Sequence, residues 1–391
     1  MQALFSNRSG NFNTATGVAA LYSNNGDPNT GTGSENSAFG TSALFHNTTG
    51  SENCAFGSGA LYVNTSGASN CAFGSGALYL NRNGAFNTAI GRSALFNNTS
   101  SDNTAVGHNA LTSNSDGFQN TATGTNALAG NSGGSFNTAI GVVALLVNNT
   151  GSNNTAIGVG ALVKDISGAA NTAIGQDALA NSTGSNNIAL GTTAGWNVTT
   201  AHNVVCIGTT GQNVNDSFYI GNVFETSIDA DNLPVRIDFR GRLGTQSSSR
   251  RFKDHIAPMD EASETILALR PVTFHYKDDS KCRPEFGLIA EEVAQVDPNL
   301  VARDKEGKPY TVRYDQVNAM LLNEFLKEHK KVQQLEAASA QQRNDFEATI
   351  AELRKEMAGV VARSRDQEEK IQKVSAQVEL NKTVSRKVAN K

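Results

Sequence analysis

A short motif recurs along the first 225 residues of the chain, and its regularity limits what the chain can fold into. Single copies read NSAFGTSAL, NTAIGRSAL and NTAIGVVAL. The step between copies is 17 residues, with slips to 16 and one long first step of 23, as the motif glycines show: Gly17, Gly40, Gly57, Gly74, Gly91, Gly107, Gly124, Gly141, Gly158, Gly175 and Gly191. This period predicts a β-solenoid, or β-helix, in which each copy forms one coil of a stack.

One coil alone contains too few apolar residues to form a core. A small residue and a larger apolar one precede the glycine, Ala-Leu follows it, and Asn, Ser, Thr and Gly fill the rest. The pattern predicts two very short strands per coil, joined by turns. Stacking would pile equal side chains into apolar rows and into hydrogen-bonded rows of asparagine. The motif glycine is expected to supply a positive φ or a close approach of two backbones.

Charge is distributed unevenly along the chain. Up to residue 230 the basic residues are Arg8, Arg82, Arg92 and Lys164, and the whole chain has a formal net charge of −4. We therefore expect no nucleic-acid partner. The sequence has no run of about 18 apolar residues and no charged leader followed by an apolar stretch, which predicts neither a membrane span nor a signal peptide.

The cysteines and histidines predict no metal or cofactor site. The histidines lack ligand spacing, and the four cysteines have no CxxC motif. Cys54 and Cys71 occupy equivalent positions of adjacent copies, so we expect them to stack. We interpret them as two small buried thiols, with a disulfide as the alternative.

The repeat motif resembles the head repeats of trimeric adhesins and the β-helical shafts of phage tail fibres. Ala3-Leu4 lies one step before Ala20-Leu21, so we expect that the sequence is a fragment or that further repeats and an anchor preceded it. Large residues at Trp196 and in FYIG before Gly221 are expected to cover the end of the stack. Strands and a polar linker are expected over residues 226–247.

From SSSRRFKDHIAPMDEASETILALRPVTFHYK through GLIAEEV to YDQVNAMLL, the chain resembles the intramolecular chaperone of endosialidase, peptidase family S74. The matched parts follow the family's order: a Ser-x-x-[RK]-x-Lys start, a short helix, a strand, a helix at Gly287–Val293 and a further helix after Tyr314. The resemblance implies a small α+β domain over residues 248–335, a homotrimer, and one self-cleavage.

The family's catalytic dyad, carried over by this resemblance, is Ser248 with Lys253 five residues later. Ser249 stands where the best-known cleaving members have Asp, so a permanent trimerisation cap that never cuts is the alternative. A serine hydroxyl needs a base, and a lysine serves only when burial or nearby cations lower its pKa. Fully extended, the two residues would lie about 17 Å apart, so the chain must fold back or the dyad must form between subunits. The serines could also belong to a plain solvated linker, and neighbouring Asp254 and His255 do not make a triad.

Beyond Tyr314 the residues are good helix formers without proline. Apolar or small residues recur at heptad spacing with one stutter near Phe346, including Val332, Leu335, Ile350, Leu353, Met357, Val360, Ile371, Val374 and Val378. This predicts a coiled-coil tail over residues 336–391, with a solvated single helix as the alternative.

The sequence thus predicts a trimeric fibre or surface protein with a stalk at residues 1–225. We expect it on a virion tail fibre or at a cell surface, with a cell-surface or glycan receptor as its external partner. A third hypothesis is a solenoid that itself binds glycan or ice through a row of threonines: Thr88, Thr104, Thr121, Thr138, Thr155 and Thr172. Ser37, Cys54 and Cys71 in the same row argue against a flat threonine face.

Overall fold

The structure is a computed structural model that describes residues 2–27, 29–223, 226–228, 232–238, 240–277, 279 and 281–388. The chain divides into two compact units, residues 1–228 and residues 229–391. The predicted end of the array at residue 225 lies outside the described residues. None of the described helices combines the length and the apolar character that a membrane crossing needs.

The first unit is a β-solenoid, as the repeat predicts. Each coil contributes one three-residue strand to a single parallel sheet, in which equivalent residues pair in register. Within the described residues the strands are Thr14–Thr16, Ser37–Phe39, Cys54–Phe56, Cys71–Phe73, Thr88–Ile90, Thr104–Val106, Thr121–Thr123, Thr138–Ile140, Thr155–Ile157, Thr172–Ile174, Ile188–Leu190, Val205–Ile207 and Phe218–Ile220.

The expected second strand is wrong for most coils. It forms only at Ser23–Asn24, His46–Asn47 and Val63–Asn64 among the described residues. The Ala-Leu pair lies in a turn instead, because the leucine adopts the left-handed conformation, as at Leu145 with a φ of 50°. That conformation is costly for a branched side chain. Complete burial of these leucines, from Leu21 to Leu179, offsets the cost.

The solenoid core is a thin stack of small side chains. The middle residue of every strand from Ser37–Phe39 to Val205–Ile207, usually alanine, and both residues of each Ala-Leu pair from Ala20-Leu21 to Ala178-Leu179 are buried. Val198, Val204 and Cys206 continue this core into the last coils, where Tyr219 packs against it. Trp196 does not serve as a cap in a single chain, since 41% of it is exposed.

Two buried rows of asparagine hold the coils together, as predicted. In one row Asn131 donates from Nδ2 to Asn114 Oδ1 at 2.7 Å and to the Gly134 carbonyl at 2.9 Å. In the other row Asn120 Oδ1 accepts from the backbone N–H of the next coil's asparagine. Buried amides need such partners on every polar atom. The rows therefore fix the coil spacing and the register together.

The motif glycines fill the role predicted for them. At Gly141 φ is +136°, and a Cβ built there would lie 2.4 Å from the Gly158 carbonyl oxygen of the next coil. Both the conformation and the close approach exclude a side chain.

Cys54 and Cys71 pair in register on adjacent strands, as expected. The prediction that they are buried is wrong, because they are the first residues of their strands and face outward, half exposed. Both are free thiols. Burial, together with the neighbouring Cys71 thiol, raises the pKa of Cys54.

The second unit begins with a small hairpin, Arg236–Ile237 paired with Leu243–Gly244. Two further hairpins follow, and short 3-10 helices and two α-helices complete the described part. The hairpins are Val272–Phe274 with Glu285–Gly287 and Val301–Arg303 with Pro309–Val312; the 3-10 helices are Arg250–Phe252, Asp260–Ala268 and Pro298–Leu300; the α-helices are α1, Ala290–Val296, and α2, Tyr314–Val388.

Helix α1 begins later than predicted. Gly287 is the last residue of a strand and pairs with Val272, and the helix begins only at Ala290. Helix α2 is confirmed and runs 75 residues as one element. Its heptad side chains are exposed in a single chain, for example Leu353 at 59% and Met357 at 67%.

Candidate functional site

Ser248 lies at the end of an irregular segment, directly before the 3-10 turn Arg250–Phe252. Ser249 is the N-cap of this turn, and its Oγ accepts from the backbone N–H of Arg251 at 3.4 Å. Lys253 closes the turn by donating its backbone N–H to the Arg250 carbonyl at 3.2 Å. Ser249 therefore has a structural role as the N-cap of the turn, a position at which serine and aspartate are about equally favoured.

The 3-10 turn shortens the path between the two predicted dyad residues. Such a turn advances about 2 Å per residue, against about 3.4 Å in an extended chain. The chain thus folds back in part between Ser248 and Lys253. Both side chains are exposed, and over the described residues no hydrogen bond joins Ser248 Oγ to Lys253 Nζ. In a single chain the two residues lie five positions apart in the sequence, but their side chains do not form the dyad.

Cations surround the turn. The Arg251 guanidinium lies over the Phe252 ring at 5.3 Å and approaches Ser249 Oγ at 3.4 Å. His255 Nδ1 lies 3.5 Å from Asp254 Oδ1, and the two side chains are 95% and 94% exposed. Within the part of the chain that the structure describes, neither side chain makes a hydrogen bond to Ser248, so the pair forms no triad with it.

The segment after the turn is anchored to α2 by a polar cluster that the sequence does not reveal. Ser263, on the 3-10 helix Asp260–Ala268, is completely buried and donates to Glu324 Oε1. Asn323 donates to Ser263 Oγ at 2.7 Å and to the Asp260 carbonyl at 3.1 Å. Lys327 donates to Glu324 at 2.8 Å. That contact holds the pKa of Glu324 below its ordinary value and raises the pKa of Lys327.

The spacing of Glu324 and Lys327, three residues apart, is the signal in the sequence that could have indicated an ion pair. No sequence pattern indicates that Ser263 joins this cluster. It lies about 60 residues away from Glu324 and resembles any serine on a helix surface. The cluster fixes the position of residues 260–268 on α2. It therefore limits how far the segment that carries Ser248 and Lys253 can move.

Two motifs quoted from the sequence, the one that begins at Gly287 and the one that begins at Tyr314, contact each other. The Tyr314 hydroxyl accepts from the Leu288 backbone N–H at 3.0 Å. A Cβ at Gly287 would lie 2.8 Å from the same hydroxyl oxygen. Glycine at this position lets the start of α2 dock against the strand, which explains why the two motifs occur together.

The second unit has a small core and a large exposed apolar surface. Ile266, Val293, Leu300, Val301, Val312 and Met320 form the buried cluster. A groove of about 870 Å³ adjoins it, lined by Leu269, Val272, Phe286, Tyr314, Val317 and Leu321 among others. Phe286 is 80% exposed and Phe325 is 65% exposed. Monomeric proteins rarely leave contiguous apolar surface of this kind uncovered.

Comparison with family models gives one match, to Peptidase_S74, the chaperone of endosialidase, over residues 248–302. No match was found among curated proteins or among solved structures. The matched segment begins at Ser248 and includes the 3-10 turn, the hairpin Val272–Phe274 with Glu285–Gly287, α1 and the start of the last hairpin. Residues 248–302 therefore match the chaperone-of-endosialidase family, which is the family that the sequence motifs indicate.

Proposed function

We propose that this chain is a homotrimeric fibre or surface protein whose C-terminal module aligns three chains during folding and then cuts the chain beside Ser248. The observation that carries the proposal is the match to the chaperone-of-endosialidase family, which starts at that serine. The proposed parts are a stalk at residues 1–225, a connecting segment at 226–247, the chaperone at 248–335 and a coiled-coil tail at 336–391. The fibre acts outside the cell or on a virion, where it contacts a cell-surface or glycan receptor.

The exposed apolar surface supports the trimer. The groove beside Leu321 and the exposed rings of Phe286 and Phe325 would be covered by neighbouring copies. Helix α2 supports it too, since a helix of 75 residues is about 110 Å long and its heptad side chains, such as Leu353 and Met357, are exposed in one chain. Three such helices would bury these side chains against each other.

The proposed cleavage uses the chemistry of a Ser/Lys dyad. Ser248 Oγ attacks the carbonyl carbon of the adjacent peptide bond while Lys253 Nζ takes the hydroxyl proton. The same proton passes to the leaving amide nitrogen, and water then hydrolyses the ester. Lys253 must be neutral to act as the base, which requires burial or the nearby charges of Arg250 and Arg251. A neighbouring copy would supply the burial, so cutting would depend on assembly.

Intact-mass spectrometry of freshly expressed protein tests the proposal. Wild type should divide into two fragments at a bond beside Ser248, while Ser248→Ala and Lys253→Ala stay whole. Ser247→Ala and Lys281→Ala are the matched controls and should cut as wild type does. Analytical ultracentrifugation of the uncut variants should give three times the chain mass.

A trimer that stays uncut in wild type and in all variants would contradict the cleavage and support the permanent cap. An uncut monomer would contradict the whole proposal.

A further inference from the structure

The outer face of the solenoid sheet is formed by the first and third residues of every strand. Alternation along each three-residue strand turns the middle residue into the core and the other two outward, as Thr138, Ala139 and Ile140 show. The coils stack in register, so these outward residues form two straight rows. We call these two rows the outer sheet face.

The third-residue row is apolar along almost its whole length. Only Thr16 and Thr123 interrupt it, and seven of its members are 38–48% exposed: Phe73, Ile90, Ile140, Ile174, Leu190, Ile207 and Ile220. Phe39, Phe56 and Phe73 stack on one another with centroids 4.5 and 4.8 Å apart. Thirteen strands at about 4.8 Å make this row about 58 Å long.

The first-residue row adds threonine methyl groups and no charge. It contains the threonines of the proposed ice- or glycan-binding row, the thiols of Cys54 and Cys71, and then apolar residues at Ile188, Val205 and Phe218. Neither row contains an ionisable residue other than the two cysteines. The turns outside the sheet do carry charge, for example at Arg92 and Asp177. Depletion of charge together with apolar enrichment is typical of an interface core.

The size of the face matches a stable interface. A side chain exposed at about 40% leaves on the order of 70 Å² uncovered, so the seven exposed members of the apolar row leave about 500 Å² uncovered. The remaining members of both rows bring the face towards the roughly 800 Å² that one partner contributes to a standard interface. The partner must be straight, uncharged and periodic at the coil spacing. A second copy of the same solenoid has all three properties. In a threefold assembly a row that lies along the axis meets its own copies in the other two chains, whereas surfaces away from the axis meet non-equivalent ones.

We propose that the outer sheet face is the surface along which the three solenoids of the fibre pack against each other. The proposal rests on the homotrimer proposed above and adds the face through which its stalk is joined. Rotational symmetry places a given residue of all three chains at one height. With the apolar row along the threefold axis, its side chains from the three chains meet at the same coil.

Site-directed disulfide cross-linking of the full chain tests this. The background carries Cys54→Ser, Cys71→Ser and Cys282→Ser, and keeps Cys206, which is buried. Two variants are made in this background: Ile140→Cys on the outer sheet face and, as the control, Val142→Cys in the adjacent turn. The two positions are similarly exposed, at 40% and 46%. Under mild oxidation Ile140→Cys should give cross-linked chains on a non-reducing gel and Val142→Cys should not.

The native cysteines give a second readout without any substitution. In the assembled wild-type chain, Cys54 and Cys71 should react with a maleimide at least about tenfold more slowly than exposed Cys282, as measured by peptide mass spectrometry. They should react faster once the assembly is dissociated in mild denaturant.

The outcomes separate this inference from the proposed function. A trimer in which both engineered cysteines cross-link alike, or in which Cys54 and Cys71 react as fast as Cys282, would overturn the interface alone. If Cys54 and Cys71 react this fast in a trimer, the outer sheet face is open to solvent, as the ice- or glycan-binding hypothesis requires. A chain that sediments as a monomer would overturn the proposed trimer and this interface with it.

Discussion

Asp165 occupies a position at which most coils carry asparagine. Its side chain is fully buried and accepts hydrogen bonds from the Gly168 backbone N–H at 2.7 Å and from Asn171 Nδ2 at 3.3 Å. A carboxylate has no N–H to donate, so Asn148 Oδ1 in the previous coil is left buried without a partner. Burial raises the pKa of Asp165 to about 6. Asp165 therefore destabilises this row of asparagines, and the size of the destabilisation depends on pH.

We expect Asp165→Asn to stabilise the solenoid at neutral pH. The folded pKa lies above the ordinary value of 3.8, so the carboxylate destabilises the fold above pH 6, and this cost disappears as the pH falls from about 6 to about 4. A shift of this size corresponds to on the order of 3 kcal/mol. Asparagine removes the charge and restores a donor to Asn148 Oδ1.

Thermal unfolding from pH 4 to pH 8, followed by circular dichroism, measures the effect. The variant should gain several degrees over wild type at pH 8 and little at pH 4. Asp116→Asn, at an exposed position, is the control and should change neither value. Equal stability of wild type and Asp165→Asn at pH 8 would contradict the interpretation.

The motif glycine makes a second residue-scale prediction. Gly141→Ala places a Cβ 2.4 Å from a backbone oxygen at a φ of +136°, and we expect it to lower the free energy of unfolding by about 2–4 kcal/mol. At Gly133 a Cβ would meet nothing within 4 Å. Gly133→Ala should therefore stay within about 0.5 kcal/mol of wild type in urea unfolding. Similar values for the two variants would show that the glycine contact is not a constraint.

At the scale of elements, the anchoring of the 3-10 helix Asp260–Ala268 makes a third prediction. Ser263→Ala removes its bond to Glu324 and leaves Asn323 short of an acceptor. We expect a loss of about 1–2 kcal/mol in the second unit and slower self-cleavage, because the segment before the helix is held less firmly. Thr265→Ala is the control, since among the described residues the Thr265 hydroxyl donates to the Ala262 carbonyl within its own helix. Unchanged cleavage in Ser263→Ala would separate the anchor from the proposed dyad.

The elements also show where the sequence was informative. The coil period, the asparagine rows and the glycine follow from repetition, because equivalent residues of stacked coils must meet each other. The Ala-Leu pair was misassigned to a strand, since nothing local marks Leu145 as left-handed; only its burial in the stack compensates that conformation. The start of α1 was placed too early because Gly287 belongs to a strand, where it leaves room for the Tyr314 hydroxyl.

At the scale of the whole molecule, nearly equal coils create a folding problem. A slip of one coil keeps most apolar and asparagine contacts, so the register is weakly specified by the repeat itself. Non-equivalent features select the right register: six rings from Phe5 to Phe96 stack with centroids 4.9–5.2 Å apart in the first coils, and the equivalent positions of the next five coils, from Thr112 to Ala180, carry no ring. A module that aligns three chains at one end would select against slipped pairings before the slow non-local contacts form.

The geometry of a single chain also bears on where the dyad assembles. Ser248 and Lys253 are both exposed and not joined, although the turn between them is ordered by its own cap. We therefore expect the serine of one chain to meet the lysine of a neighbour. Co-refolding Ser248→Ala with Lys253→Ala should then restore cutting of the chains that keep Ser248, although neither variant cuts alone.

The mixture is read by intact-mass spectrometry, with a mass tag on one variant to identify the chain that is cut. Random mixing in a trimer should allow cutting in only part of the assemblies, and the cut chains should all carry Lys253→Ala. Refolding the two variants separately and mixing them afterwards is the control, because assembled trimers exchange chains slowly. If co-refolded mixtures stay whole while wild type cuts, the dyad lies within one chain, and assembly must act by folding that chain back on itself.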